Sequence, residues 1–373
     1  MRIGEFEFSR RELAGAMGDF GTLLPLAAGY IAVCGLDPAG FLVMMGVVNI
    51  GLGLIYRLPM PLEPKKVVAA VAIAEAWSPP IIYTTGFTLG ILWLALAFTG
   101  LVDRVVKWIP FAVMRGIQLG LGIVLTIAGL KMMSTWWLMG AIAILIALVL
   151  RENRHLPAAI ALVLLGLVVI VVRGQAGDVF QFGFRLPPLT LPRLGLIVPG
   201  MLGAGLGQIP LTLTNATIAT AALIREYFPS KAVPERKLVL NQGVMNVVVS
   251  FFGGMPMCHG AQGLAGQYYF GARTGGASII EGLIEIGLGL FLSQSLLGLF
   301  AAFPEAILGA MMVLVAFQLM RPVTRLKGKD AVFAALTGVL AAGIGMAVGA
   351  VVGVVGYHLW ERLLGSESGR GVE

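Results

Sequence analysis

Residues 59–74 read Pro59-Met60-Pro61-Leu62-Glu63-Pro64-Lys65-Lys66-Val67-Val68-Ala69-Ala70-Val71-Ala72-Ile73-Ala74. Prolines at 59, 61 and 64 prevent one helix from running through this stretch. Pro64 suits the first turn of a helix that starts there, because its missing N–H would have no intrahelical partner anyway. The apolar part, Val67 to Ala74, covers about 12 Å at 1.5 Å per residue. That is under half of a bilayer core of about 30 Å, so the segment reads as a half-helix inside a membrane protein. Lys65 and Lys66 fall in its first turn, at the positive end of the helix dipole, where cations are disfavoured. Two readings follow. Either an anion sits at the helix start, held by backbone N–H groups and a lysine, or both lysines snorkel to water. The shortness of the helix favours the anion.

The composition agrees with a membrane setting. Of 373 residues, 58% are hydrophobic and 12% charged, against about 45–50% and 25% in soluble proteins. Fifty-one glycines suit helices packed closely in lipid. Cys34 and Cys258 are too few for a disulfide framework. The net charge of +7 therefore bears on sidedness rather than on nucleic acid. Residues 1–13 are polar and lack an apolar core with a cleavage site, so no signal peptide is expected. The sequence contains no G-x-x-x-x-G-K-[ST] run, so no ATP site, cofactor or metal is expected.

Reading from charge cluster to charge cluster places spans at 12–33, 39–56, 60–76, 81–101, 108–130, 134–150, 156–173, 193–224, 236–253, 255–270, 276–298, 301–320, 329–344 and 346–363. The stretches 134–173 and 329–363 are each too long for one crossing and read as hairpins. Of the 26 Lys and Arg, only Lys131, Arg173, Arg185 and Arg193 then fall outside the cell. Lys65, Lys66 and Arg115 lie within spans, and all others are cytoplasmic. Such asymmetry supports fourteen spans in the plasma membrane with both termini cytoplasmic. The six tryptophans, Trp93 among them, fall mostly near span ends, as an aromatic belt would.

The two halves echo each other. Gly46-Val-Val-Asn49 matches Gly243-Val-Met-Asn246, Met60-Pro61 matches Met255-Pro256, Pro110 matches Pro304 and Pro25 matches Pro210. Seven spans per copy is odd, so the second copy is inserted upside down, a transporter architecture with its site at midplane. Inverted repeats of 12–173 and 193–364 result, within one membrane transport domain. Polar interruptions occupy matching places: Gly18 to Pro25, Pro59 to Lys66, Gly207 to Asn215 and Gly253 to Gly263. In the fourth, Pro256 starts a helix, and Gly260 and Gly263 leave its backbone open. Inversion would point this start at the one beginning near Pro64, making a positive cradle.

Asp19 is a carboxylate inside a span, either a proton carrier or a structural partner for Lys65 or Lys66. Glu63 is similar. Thr22, Gln208, Thr212, Thr214 and Asn215 line the breaks, although threonine also back-bonds to helix carbonyls. Asn49 and Asn246 read as interhelical glue. Cys258 and His259 are neighbours that diverge on a helix, which argues against a nucleophile–base pair.

Gly18-Asp-Phe-Gly-Thr-Leu-Leu-Pro25, Met60-Pro-Leu-Glu-Pro-Lys65, Gln208-Ile-Pro-Leu-Thr212 with Asn215, and Met255-Pro-Met-Cys-His-Gly-Ala-Gln-Gly-Leu-Ala-Gly-Gln-Tyr268 together resemble the sulfate/molybdate transporter family. These are relatives of the sulfate permeases that lack their cytoplasmic STAS domain. The resemblance implies an all-α polytopic fold of fourteen spans in two inverted seven-span repeats, with short half-helices in spans three and ten. It implies a core domain of spans one to four and eight to eleven, moving against a gate domain. It also implies an oxyanion between spans three and ten. The expected contacts are Thr22, Lys65, Lys66, Gln208, Thr212, Asn215, His259, Gly260 and Gln262, with backbone N–H groups at 65–67 and 259–261. Glu63 departs from the glutamine usual in the family. The expected function is secondary active import of molybdate or sulfate, proton-coupled through Asp19 and Glu63, without enzymatic activity. The alternatives are an anion exchanger or channel on the same scaffold, or a nucleobase-type permease. A homodimer is compatible with all of these.

Overall fold

The computed structural model describes residues 1–150, 158–175 and 181–363, less the side chains of residues 19–22, 103, 106 and 107. A hairpin of β1 (Arg2–Ile3) and β2 (Phe6–Glu7) precedes the helices α1 (Arg10–Ala16), α2 (Phe20–Ala32) and α3 (Pro38–Tyr56). Strand β3 (Glu63–Pro64) leads into α4 (Lys66–Ala74), followed by α5 (Pro79–Thr99), α6 (Val102–Trp108), α7 (Phe111–Met133), α8 (Trp137–Val149) and α9 (Ala158–Val172). The second half holds α10 (Ile197–Gly200), α11 (Leu206–Leu211), α12 (Thr220–Tyr227) and α13 (Glu235–Val249). Strand β4 (Met257–Cys258) then precedes α14 (Ala261–Phe270), α15 (Gly276–Phe291), α16 (Ser293–Ala302), α17 (Glu305–Met320), α18 (Gly328–Gly343) and α19 (Met346–Leu363).

Five described stretches are long and apolar enough to cross a bilayer: Pro38–Tyr56, Pro79–Thr99, Phe111–Val149, Leu194–Tyr227 and Glu305–Arg325. A sixth is α15 with α16, bent by 83° at their junction. Most other expected crossings fall on shorter helices, such as the 13-residue α2 with Pro25 inside it and the 15-residue α9. The 39-residue stretch Phe111–Val149 is interrupted at Trp136, whose φ of −157° and ψ of 77° leave the helical region. The 329–363 stretch is two helices. Their turn includes Gly345 at φ +144°, a conformation other residues rarely adopt.

Helix pairs meet through glycines. A Cβ on Gly46 of α3 would strike the Gly282 carbonyl of α15, and one on Gly282 would strike that of Gly46. A Cβ on Gly129 of α7 would stand 2.6 Å from the Gly309 carbonyl of α17. In the α5–α13 pair, Gly90 faces Val247 and Gly243 faces Leu94. Small residues at such crossings let backbones approach closely where lipid supplies no hydrophobic drive between helices. The extended segment 181–193 binds across several helix ends. Its backbone N–H groups donate to Phe291, Leu290 and Phe251 carbonyls and to Thr84 Oγ1.

Leu194–Tyr227 is helical throughout but widens to π-helix at Met201–Gly205 and Thr212–Ala219. Pro210 lies between these segments and lacks the N–H that a regular turn needs. Thr217 and Thr220 hydroxyls donate five residues back, to Thr212 and Asn215 carbonyls. π-turns recur at functional sites, and the second one begins with Thr212, includes Asn215 and follows α11, which carries Gln208.

Candidate functional site: two helix starts joined by a strand pair

Strands β3 and β4 pair antiparallel, Glu63 opposite Cys258 and Pro64 opposite Met257. The ladder continues with Lys65 N–H donating to Pro256 O at 2.8 Å. Each strand runs straight into a short helix, so α4 and α14 leave the antiparallel pair from its opposite ends, with both starts held by the ladder. Asn246 of α13 clamps the pair, its side chain donating to Met257 O and accepting from Met257 N, both at 2.8 Å.

The α4 start is partly bonded within the protein. Lys65 is its N-cap, and its N–H is committed to Pro256. Val67 N–H donates to Gln208 Oε1 at 2.9 Å, and Gln208 Nε2 donates to Thr212 Oγ1 at 3.0 Å. Two of the three N–H groups at 65–67 expected for an anion are therefore already bonded within the protein. The Lys65 side chain is fully buried, its ammonium 3.2 Å from Gln242 Oε1 and 5.5 Å from the centre of the Trp93 ring. Neither lysine snorkels. Lys66 Nζ lies 2.7 Å from Glu63 Oε2 inside the protein and 3.4 Å from Gln262 Oε1. The acid beside Lys66 is thus Glu63, three residues earlier on strand β3.

The α14 start is different. Gly260 is its N-cap, and Ala261, Gln262 and Gly263 N–H groups donate to no acceptor among the described residues, as at any uncapped helix start. Gly260 leaves room for Glu63: a Cβ there would stand 2.6 Å from the Glu63 carboxyl carbon, so the carboxyl would have to shift. The Glu63 carboxyl therefore lies against the α14 cap, and its Oε1 accepts no hydrogen bond among the described residues. Gln262 is exposed, while Gly260 and Gly263 are buried.

His259 is fully buried, Nδ1 at 3.3 Å from Pro61 O and Nε2 at 3.0 Å from Asn241 Oδ1. Both neighbours as placed are acceptors, so a neutral ring that donates from Nδ1 requires the Asn241 amide to turn and present its NH2. His259 ties the β4–α14 junction to Pro61 and α13. Cys258 Sγ lies 3.9 Å from Pro64 O, so the thiol and imidazole face different partners. Asn215 is half-buried. The side chains of Asp19 and Thr22 lie outside the described residues.

A scan of protein families matches residues 11–125 and 200–319 to the family described as "Molybdate transporter of MFS superfamily". The chain belongs to this molybdate transporter family. It is a multi-pass membrane transport protein and not an enzyme. Molybdate transporter 1 of Arabidopsis thaliana is 29% identical, over 96% of this chain and 90% of its own length. Molybdate transporter 2 of the same plant is 30% identical, over 93% and 86%. A putative sulfate transporter of Bacillus subtilis is 24% identical, over 79% and 63%. Among solved structures, the transmembrane domain of the cyanobacterial bicarbonate transporter BicA has a TM-score of 0.69 at 17% identity, covering 92% of this chain and 97% of that one. Murine Slc26a9, an anion transporter solved in its inward-facing state, has a TM-score of 0.71 at 14% identity, covering 98% and 70%. These neighbours share the fold of this family member.

Residues beyond the sequence motifs complete the site. Trp93 is not at a lipid interface but fully buried over Lys65, contrary to the aromatic-belt expectation. Asn241 and Gln242 hold His259 and Lys65. The one sequence signal for them was their place just before the repeated Gly243-Val-Met-Asn246.

Proposed function

We propose that this protein imports a tetrahedral oxyanion, molybdate or sulfate, by proton-coupled secondary active transport across the plasma membrane. The observation that carries this reading is the open α14 start set beside Lys66, with Gln262 at the exposed edge. Unbonded N–H groups at a helix start, next to a buried ammonium, suit a small dianion. The same reading places the protein in fourteen spans of two inverted repeats, 12–173 and 193–364, with both termini cytoplasmic. Three features support it. The β3–β4 pair joins matching points of the two halves. The α3–α15 and α5–α13 pairs exchange under a two-fold relation, and Gly46 and Gly243, matched in the repeat, sit at their crossings. Glu5, Arg57 and Lys231 gather at one end of the molecule, in segments read as cytoplasmic.

Coupling follows from charge. Moving a dianion into a cell at 100 mV, negative inside, costs about 4.6 kcal/mol, which two co-transported protons would offset. Glu63 and an incoming oxyanion both seek Lys66 and the α14 start. When the oxyanion takes the ammonium, Glu63 loses its counter-ion and favours protonation. Binding of anion and proton are then one event. Asp19 is the proposed alternative to Glu63 as carrier of this proton. The test is uptake of labelled molybdate and sulfate into proteoliposomes, with and without an inward proton gradient. Accumulation only with the gradient supports the reading; full accumulation after the gradient is collapsed makes anion exchange the mechanism.

A further inference from the structure

Two more carboxylates lie deep in the helical core, away from the strand pair. Glu281 and Glu285 are both buried on α15 and, four residues apart, share a face. Each meets a side-chain amide from another helix. Asn49 Nδ2 of α3 donates to Glu285 Oε2 at 2.8 Å, and Gln267 Nε2 of α14 lies 3.5 Å from Glu281 Oε2. Both amides are fully buried, and Asn49 Oδ1 and Gln267 Oε1 receive no hydrogen bond among the described residues.

The chemistry of this arrangement is specific. A primary amide both donates and accepts; an ionised carboxylate only accepts, whereas a carboxylic acid does both. One proton shared by the two carboxyls would supply a donor to one of these amide oxygens at a time. Turning either amide over keeps the demand, because its oxygen would then face the carboxyl directly. Buried acceptors without donors are costly, and two like charges one turn apart repel. We propose that Glu281 and Glu285 form a second proton-carrying site, holding one proton between them through Asn49 and Gln267.

This inference rests on the proton-coupled reading and deepens it. Glu63 takes one proton as the oxyanion arrives, and the α15 pair takes the second that charge balance requires. Gln267 belongs to α14, whose start is the open end of the proposed anion site, so the proton state of Glu281 and the position of that helix are linked. Several charged groups belong to elements packed against α15 or flanking it. Glu12 of α1 accepts from Arg273 and Thr274 N–H groups, both at 3.0 Å, at the α15 start. Glu7 of β2 and Arg10 and Arg11 of α1 belong to the same end. Arg273 stacks on Tyr268 at 3.6 Å, and Arg57, past α3, pairs with Glu5. At the far end Arg185 pairs with Asp37.

The experiment is molybdate accumulation in proteoliposomes under a fixed inward proton gradient, with and without a 100 mV inside-negative potential. Wild type, Glu281→Gln, Glu285→Gln and the control Glu305→Gln are compared. Two protons per dianion make wild-type and control uptake indifferent to the potential. Glutamine mimics the neutral acid but carries no proton. Either α15 variant then moves one net negative charge inward, and the potential lowers its accumulation roughly fiftyfold. Protons taken up per molybdate by purified protein, read with a pH dye, fall from two to one in the same variants. If one variant fails to fold, the other decides, because a shared proton is lost with either acid. Wild-type accumulation without a proton gradient would overturn the coupled reading as a whole. Proton-driven wild type with both folded variants still indifferent to potential, and still taking up two protons, would overturn the α15 site alone.

Discussion

The starts of α4 and α14 are built by the same device, a two-residue strand running into a short helix, yet they differ in how many donors are taken. At α4 the cap N–H of Lys65 is bonded to Pro256 and Val67 N–H to Gln208, leaving Val68 N–H without an acceptor among the described residues. Both ammonium groups beside it already have neighbours inside the protein. At α14 the donors are open, the cap is glycine, and the edge is the exposed Gln262. A helix dipole attracts anions at either start, but only unspent N–H groups can bind one. In the proposed function the α4 start, partly bonded already, holds Lys66 in place, and the more open α14 start receives the anion.

The largest effect that would sharpen this contrast comes from Lys66→Ala. It leaves Glu63 as a buried charge without its cation, an error that costs about 3 kcal/mol or more in stability. Thermal melting should fall sharply and uptake should vanish. Adding Glu63→Gln should restore melting but not uptake. If the double variant transports normally, Lys66 serves only to neutralise Glu63.

Gly260→Ala comes next. Its Cβ would be pressed on the Glu63 carboxyl, and overpacking of this kind costs about 1–3 kcal/mol. Uptake should fall about tenfold or more, and the loss of thermal stability caused by Gly260→Ala should shrink in a Glu63→Ala background. An unchanged rate in the single variant would mean that the carboxyl is free to move aside.

Gln208→Ala tests the α4 start. It strands Val67 N–H, a loss of about 1–2 kcal/mol, and frees that donor for the anion. Stability should drop while molybdate affinity holds or rises. A large loss of affinity without loss of stability would show that Gln208 touches the anion. Lys65→Ala should weaken uptake more than Lys131→Ala, since the first removes a charge beside the strand pair and the second an exposed one in the last turn of α7; equal losses would point to surface charge alone. Gln262→Ala, at the exposed edge, should be mildest, about a threefold rise in KM.

The sequence made the helix starts legible because prolines and glycines act locally. Pro64 announces a helix that the structure begins at Lys66, and Gly260 caps α14. Splitting 329–363 into two helices followed from length alone. The partners of the charged groups were less legible. Glu63 and Lys66 sit three residues apart, a spacing visible in the sequence, yet the helix begins between them, so the helical rule gave no clear warrant. The Trp93 contact with Lys65 depends on how α5 lies across α4, and no local pattern encodes that. Asn241 and Gln242 were hidden for the same reason: amides on a packed helix look alike until their neighbours are known.

The central claim, that the oxyanion is received at the α14 start, is tested most directly by locating molybdenum through its anomalous scattering in crystals of the protein grown with molybdate. The account predicts a peak within hydrogen-bonding reach of the Ala261, Gln262 and Gly263 N–H groups and near Lys66 Nζ, with Glu63 displaced from the ammonium. A peak elsewhere in the protein, with Glu63 and Lys66 still paired and those N–H groups unoccupied, would contradict it.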